Sequence, residues 1–236
     1  MKGSELFSYL AGVYNLTAYF FLFHAIFLAA VKDPFLRALK LQENLCWVNQ
    51  NLDNLVSLRT ADLRVVNERL RRAATTDYLT GAVNRRYFLQ KAQEVILQAR
   101  VTRQPFSVMM MDIDGFKKIN DTLGHQVGDQ CLQQLVILVK ANLRQNDVIG
   151  RYGGDEFAVL LPQADAQEAA GVAERIIAAI PQNASPSFTV SVGIASFPEH
   201  GDSVEKILAA ADTALYRAKH SGSNQFSIYD LEPAAT

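Results

Sequence analysis

The chain has 236 residues and a formal net charge of −1, enough for one catalytic domain and an accessory segment. Without net positive charge no global field draws nucleic acid to it, and any polyanion site has to be local. Its two cysteines, Cys46 and Cys131, form neither a CxxC pair nor a disulfide framework, which fits a reducing compartment.

The N-terminal region, residues 1–40, is dominated by an apolar run. From Tyr9 to Val31 there is no Asp, Glu, Lys or Arg. As a helix this run spans roughly 30 Å, about one hydrocarbon core, so a membrane helix is expected. Tyr9 and Tyr14 suit an interface at one end. A buried core helix and a signal peptide are the alternatives. The run is long for a signal h-region, and Lys2 is soon followed by Glu5, a poor basic n-region. Lys32, Arg37 and Lys40 follow the run, against Lys2 alone before it, which places everything downstream in the cytoplasm. His24, inside the run, reads as a polar contact between helices. One span is little for a sensor, which leaves open that the chain is the tail of a larger membrane module.

Residues 41–76 are polar with a narrow apolar stripe. Leu45, Val48, Leu52 and Leu55 step by three and four, as do Leu63, Val66, Leu70 and Ala73. Arg59 sits on the seam between the blocks, and the steps 55, 59, 63 form a stutter. The pattern predicts a parallel two-stranded coiled coil; the alternative is an amphipathic helix packed on its own domain.

From Asp77 to residue 230 the pattern is mixed α and β, ahead of a short tail at 231–236. A helix over about 85–100 leads to the apolar strand "FSVMMMDID". A turn at Asp114-Gly115 precedes a short helix, and "GHQVGD" opens a longer one. A hairpin over 147–161 follows, turning at Gly153-Gly154, a pair that tolerates positive φ. Then come a helix, the strand "FTVSVGIASF", a helix over 203–222 and a last strand "QFSIYD". One sheet covered by helices is expected, part of it antiparallel.

Acids end the apolar stretches. Asp112 closes "SVMMM", and Asp155 and Glu156 stand on the hairpin tip. If the strand lies beside the hairpin, Asp112 and Asp155 converge at one sheet edge. Converging carboxylates raise each other's pKa unless a cation joins them. An all-oxygen set suits Mg²⁺ or Mn²⁺, which substrate phosphates typically complete. A nucleoside triphosphate is therefore the expected ligand. Gly115 and Phe116 form a tight turn whose following helix offers N–H groups to phosphate. Lys117 and Lys219 are candidate phosphate cations. Asn120 and Asp129 offer an amide and a carboxylate. A carboxylate accepts from N1–H and the 2-amino group of guanine, donors that adenine lacks, which favours GTP.

The ordered motifs "DYLTGAVNRRYF", "MDIDGFKKINDTLGHQVGD", "RYGGDEFAVLLP", "TVSVGIASFP" and "ADTALYRAKHSGSN" resemble those of a GGDEF-domain diguanylate cyclase over about residues 75–229. The resemblance implies an α+β, nucleotidyl-cyclase-like palm: a five-stranded, mixed, largely antiparallel sheet wrapped by helices. It implies a homodimer at the bacterial inner membrane, its catalytic domains cytoplasmic, joining two GTP into cyclic di-GMP and two pyrophosphates. Asp112, Asp155 and the backbone carbonyl of Ile113 would then be metal ligands. Glu156 would bind a second metal or help deprotonate the 3′-hydroxyl, so both tip acids, Asp155 and Glu156, are candidate catalytic residues. Asn120 and Asp129 match the guanine-binding pair, with His125 near that pocket. Lys117 and Lys219 match phosphate contacts. Gly153 and Gly154 would let backbone approach the nucleotide without a Cβ.

The spacing of Arg144 and Asp147 before the signature matches the family's inhibitory site for cyclic di-GMP. A helix-end Arg beside a strand-start Asp is the structural alternative. Three positions depart from the family pattern: Ser223 stands where Arg is often found, Gly115 replaces a bulky residue and Ala82 replaces Leu. Two rival functions remain at this stage, a receptor for cyclic di-GMP without chemistry and a cyclase making a mixed guanine–adenine product.

Overall fold

The structure, a computed structural model, describes residues 3–230. The expected tail at 231–236 lies outside the described residues. The chain divides into two compact units, one ending at Asn67 and one beginning at Glu68.

The first unit is helical. Helix α1 spans Gly3–Phe27, a π-helical turn covers Leu28–Lys32, and α2 runs Asp33–Thr75. The wide turn immediately precedes Pro34, which has no N–H to give and whose ring crowds the preceding turn. The Asp33 N–H reaches back five residues to the Leu28 carbonyl. A window of 18 residues has mean hydropathy 1.6, and none of it is buried within the chain. No residue of α2 is buried either. Its stripe residues Leu45, Val48, Leu52, Leu55, Leu63, Val66 and Leu70 are each at least 50% exposed.

The second unit is one sheet between two helical layers. Its strands are β1 (Val83–Asn84), β2 (Phe106–Ile113), β3 (Val148–Arg151), β4 (Glu156–Pro162), β5 (Val190–Phe197) and β6 (Phe226–Ile228). Their order is β1-β3-β4-β2-β5-β6. The four inner strands pair antiparallel, while the edge pairs β1–β3 and β5–β6 are parallel. The expected sheet had five strands; it has six. The additional strand is β1, whose two residues are too few to show an alternating pattern.

All eight residues of β2 are buried. Period-2 alternation divides them between two cores. Met109, Met111 and Ile113 face α5 (His125–Ala141) and α6 (Ala166–Asn183). Val108 and Met110 face α3 (Arg85–Thr102) and α7 (Val204–His220). Burial on both faces explains why the strand reads as an unbroken apolar run. Asn84 caps α3 by accepting from the Tyr87 N–H. Asp165 and Glu168 close a capping box at the start of α6. A short helix α4 (Phe116–Leu123) starts directly after β2.

Candidate active site

The site grows from the end of β2. In register, Asp112 stands opposite Glu156 of β4 on one side and Ser191 of β5 on the other. Only 7% of Asp112 is exposed. Burial pushes its carboxyl up to about 6, and the charges of Asp155 and Glu156 push the same way. The Lys219 ammonium, 2.8 Å from Asp112 Oδ1, opposes both. The partly desolvated carboxylate thus already attracts a cation, here one from the last turn of α7.

The signature loop is held from within the hairpin and braced from outside it by Asp77. The Tyr152 N–H donates to the Glu156 carbonyl at 2.8 Å, and the Gly153 N–H to the same oxygen at 3.2 Å. The Arg151 guanidinium donates to the Gly154 carbonyl through Nε at 3.0 Å and Nη2 at 2.7 Å. Its Nη1 pairs with Asp77 at 3.1 Å. Burial acts to raise the Asp77 carboxyl. Hydrogen bonds from the Thr80 hydroxyl and amide, with the charge of Arg151, outweigh that and hold it below its ordinary value. Asp77 therefore stays ionised and ties the chain just after α2 to the signature loop.

The two tip glycines serve differently from the expectation. Neither lies in the positive-φ region; the glycines that do are Gly81, Gly115, Gly124 and Gly222. The turn takes four residues between β3 and β4, not two, so no positive-φ pair is required. At Gly153 the need is space: an added Cβ would lie 2.5 Å from Glu156 Oε2. A Cβ on Gly154 would meet nothing within 4 Å, so that side of the tip is clear, while its carbonyl is held by Arg151.

Gly115 has φ +67° and opens α4 without a side-chain cap. Glycine adopts that conformation without strain. Lys117 is exposed. Asn120 on α4 and Asp129 on α5 come from adjoining helices joined at Gly124, and neither side chain has a hydrogen-bond partner among the described residues. His125 is exposed at the start of α5.

Arg144 and Asp147 form a turn of their own. The Arg144 N–H donates to Asp147 Oδ2 at 2.7 Å, and the Asp147 N–H donates to the Arg144 carbonyl at 3.1 Å. Burial pushes the Asp147 carboxyl up. Both residues line a cavity of about 530 Å³ together with Phe106, Pro162 and Gln98. Asp147 thus fills the structural role of the alternative reading while its partner Arg144 stays exposed.

Sequence reasoning passed over three groups. Asp77 and Arg151 are 74 residues apart, so no local pattern links them; Thr80 three residues after Asp77 signals only the turn. Asp114 accepts from Thr189 Oγ1 and Ser191 Oγ at 2.7 Å each and from the Asn224 N–H at 3.0 Å. It anchors the loop after α7, where Ser223 and Asn224 both have positive φ. The second acid of "DID" was its only sequence signal.

Residues 74–225 match the family described as diguanylate cyclase, GGDEF domain. The chain belongs to the GGDEF family of diguanylate cyclases. Among curated GGDEF proteins, it is 38% identical over 190 residues to diguanylate cyclase TpbB of Pseudomonas aeruginosa, covering 78% of this chain and 43% of that protein. It is 38% identical over 161 residues to response regulator PleD of Caulobacter vibrioides, covering 64% of this chain and 35% of PleD. The chain therefore spans less than half the length of these relatives. Among solved structures, the coiled coil and GGDEF domain of DgcB from Caulobacter crescentus, crystallised with c-di-GMP, superposes with a TM-score of 0.67 at 30% identity. That match covers 75% of this chain and 98% of the DgcB chain.

Proposed function

We propose that this GGDEF chain is a membrane-anchored diguanylate cyclase that joins two GTP into cyclic di-GMP, with Mg²⁺, as a homodimer. The observation that carries the reading is the buried Asp112 carboxylate, set in register with Glu156, within the field of Asp155 and neutralised by Lys219.

The donor set fits a hard divalent cation. It consists of carboxylates and the Ile113 carbonyl; among the described residues no group of three or more His, Cys, Asp or Glu side chains is placed to hold a metal ion by itself. Mg²⁺ suits such an open set, because it keeps waters or phosphate oxygens as further ligands. Asp112, Asp155 and the Ile113 carbonyl would hold it, with Glu156 beside them. A bound divalent cation would neutralise triphosphate charge and favour ionisation of the attacking hydroxyl.

The chain's own groups supply the rest. Asn120 and Asp129 select guanine and fix the base. Lys117, with the uncapped N–H groups at Gly115 and Phe116, binds the triphosphate, and Lys219 leaves Asp112 to join them. His125 borders the base pocket. The absent side chain of Gly154, whose Cβ position is clear of other atoms, lets the nucleotide close onto the tip. In each half-reaction a 3′-hydroxyl oxygen bonds to the α-phosphorus of the other nucleotide. The bond from that phosphorus to pyrophosphate breaks, and the hydroxyl proton departs to solvent through Glu156 or Asp155. Two such transfers close the ring.

One subunit with one nucleotide cannot close that ring, so two must face each other. The exposed stripe of α2 supports pairing through a parallel coiled coil, since seven apolar side chains have no cover within one chain. The apolar window of α1 supports anchoring in the inner membrane, with the second unit in the cytoplasm. The assay is purified chain with Mg²⁺ and GTP or ATP, read by mass spectrometry. Cyclic di-GMP from GTP alone supports the proposal; a mixed dinucleotide points to the guanine–adenine rival, and bound but unmade cyclic di-GMP points to the receptor.

Arg144 and Asp147 are proposed as the product-inhibition site, supported by the cavity they line. Arg144→Ala should raise the half-inhibitory concentration of cyclic di-GMP at least about tenfold, the effect of losing a charged hydrogen bond. Initial rates with added product test this, and an unchanged inhibition curve would count against the site.

A further inference from the structure

We infer that Gly128 is a positioning residue for guanine recognition: its missing side chain is the seat of the Asn120 carboxamide. The inference rests on the reading of Asn120 and Asp129 as the base pocket. An ideal Cβ built on Gly128 would lie 1.9 Å from Asn120 Oδ1 and 3.0 Å from Asn120 Cγ. The Phe116 ring borders the same space at 3.3 Å. Gly128 is buried in the first turns of α5, next to Asp129. The carboxamide therefore lies against bare helix backbone, one residue from the carboxylate it works with.

The Asn120 carboxamide is the closest group to that position, nearer than the Phe116 ring, and backbone conformation does not call for glycine. Gly128 is helical and is absent from the positive-φ residues, and alanine is the better helix former at such a position. A glycine that lowers helix propensity while making room for a polar side chain trades local stability for placement. Asn120 has no hydrogen-bond partner among the described residues, so packing against Gly128 is what limits its rotamers. With a methyl group there, Oδ1 cannot keep its place, and the amide must leave the seat it holds against α5.

The test is a double-mutant cycle on the full chain in detergent, with GTP as substrate and equilibrium binding of a GTP analogue whose α,β-bridge is methylene. Gly128→Ala should raise KM and Kd about tenfold while kcat stays within about threefold, the size of one lost hydrogen bond. Asn120→Ala should do the same. The combined Asn120→Ala/Gly128→Ala enzyme should match Asn120→Ala alone within about twofold, because the displaced group has gone. A further tenfold loss in the combined enzyme, or a Gly128→Ala enzyme with normal KM beside an impaired Asn120→Ala, overturns this inference alone. Normal KM in Asn120→Ala removes the base-pocket reading as well. If Gly128→Ala does not fold, a folded combined variant still places the obstruction at Asn120. A combined variant that is insoluble beside a soluble Asn120→Ala overturns it.

Discussion

Asp155→Ala should abolish cyclic di-GMP synthesis, lowering turnover at least about a thousandfold, while the protein folds as before. Loss of one preorganised group that stabilises developing charge costs about a hundred- to a thousandfold, and a metal ligand is a stronger case. The fold should not notice. Asp155 has no hydrogen bond or ion pair among the described residues, sits on a turn, and repels Asp112 electrostatically. Surface changes away from packing and caps usually stay within about 0.5 kcal/mol. Thermal unfolding should therefore superpose on that of the parent chain while product falls to background. Retained turnover would move the cation site away from the tip.

Gly193→Ala should have the opposite signature, a loss of stability that no active-site change produces. Gly193 lies in β5 opposite Met110 of β2. An added Cβ would meet the Ala211 carbonyl at 2.1 Å and the Leu215 nitrogen at 2.1 Å. Both are backbone atoms of α7, so no side chain can rotate aside. The helix has to lift off a strand it covers with Ala211, Ala214 and Leu215, all buried. Overpacking of this kind costs about 3 kcal/mol, which lowers Tm by roughly 6–12 °C for a domain of this size. Calorimetry of the full chain checks it, and a melting temperature within about 2 °C of the parent would contradict the packing described. Activity should also fall, because α7 carries Lys219.

How much of this was legible in sequence depends on distance along the chain. Strands β2, β4 and β5 and the covering helices announce themselves as apolar runs or amphipathic periods. Asp112 stood out because a carboxylate ends a buried strand. Taking strand and hairpin as neighbours brought Asp155 to it from sequence; the register instead sets Glu156 directly opposite, with Asp155 one residue back on the turn. Strand β1 carried too few residues to register. The positive-φ argument for Gly153-Gly154 failed because sequence gives no loop length. The deciding contact, Glu156 Oε2 against Gly153, lies between residues three apart whose geometry only the folded hairpin sets. Arg151 with Asp77, and Gly193 with Ala211 and Leu215, join distant segments and leave no local trace. Pro34 was a usable sign of the π-helical turn before it, and passed unread.

Incubation of the purified full chain with GTP and Mg²⁺, with products resolved by mass spectrometry, is the most direct test of the central claim. Cyclic di-GMP and pyrophosphate in a 1:2 ratio, absent when the cation is chelated, is the predicted result. Intact GTP after prolonged incubation of folded, dimeric protein would contradict it.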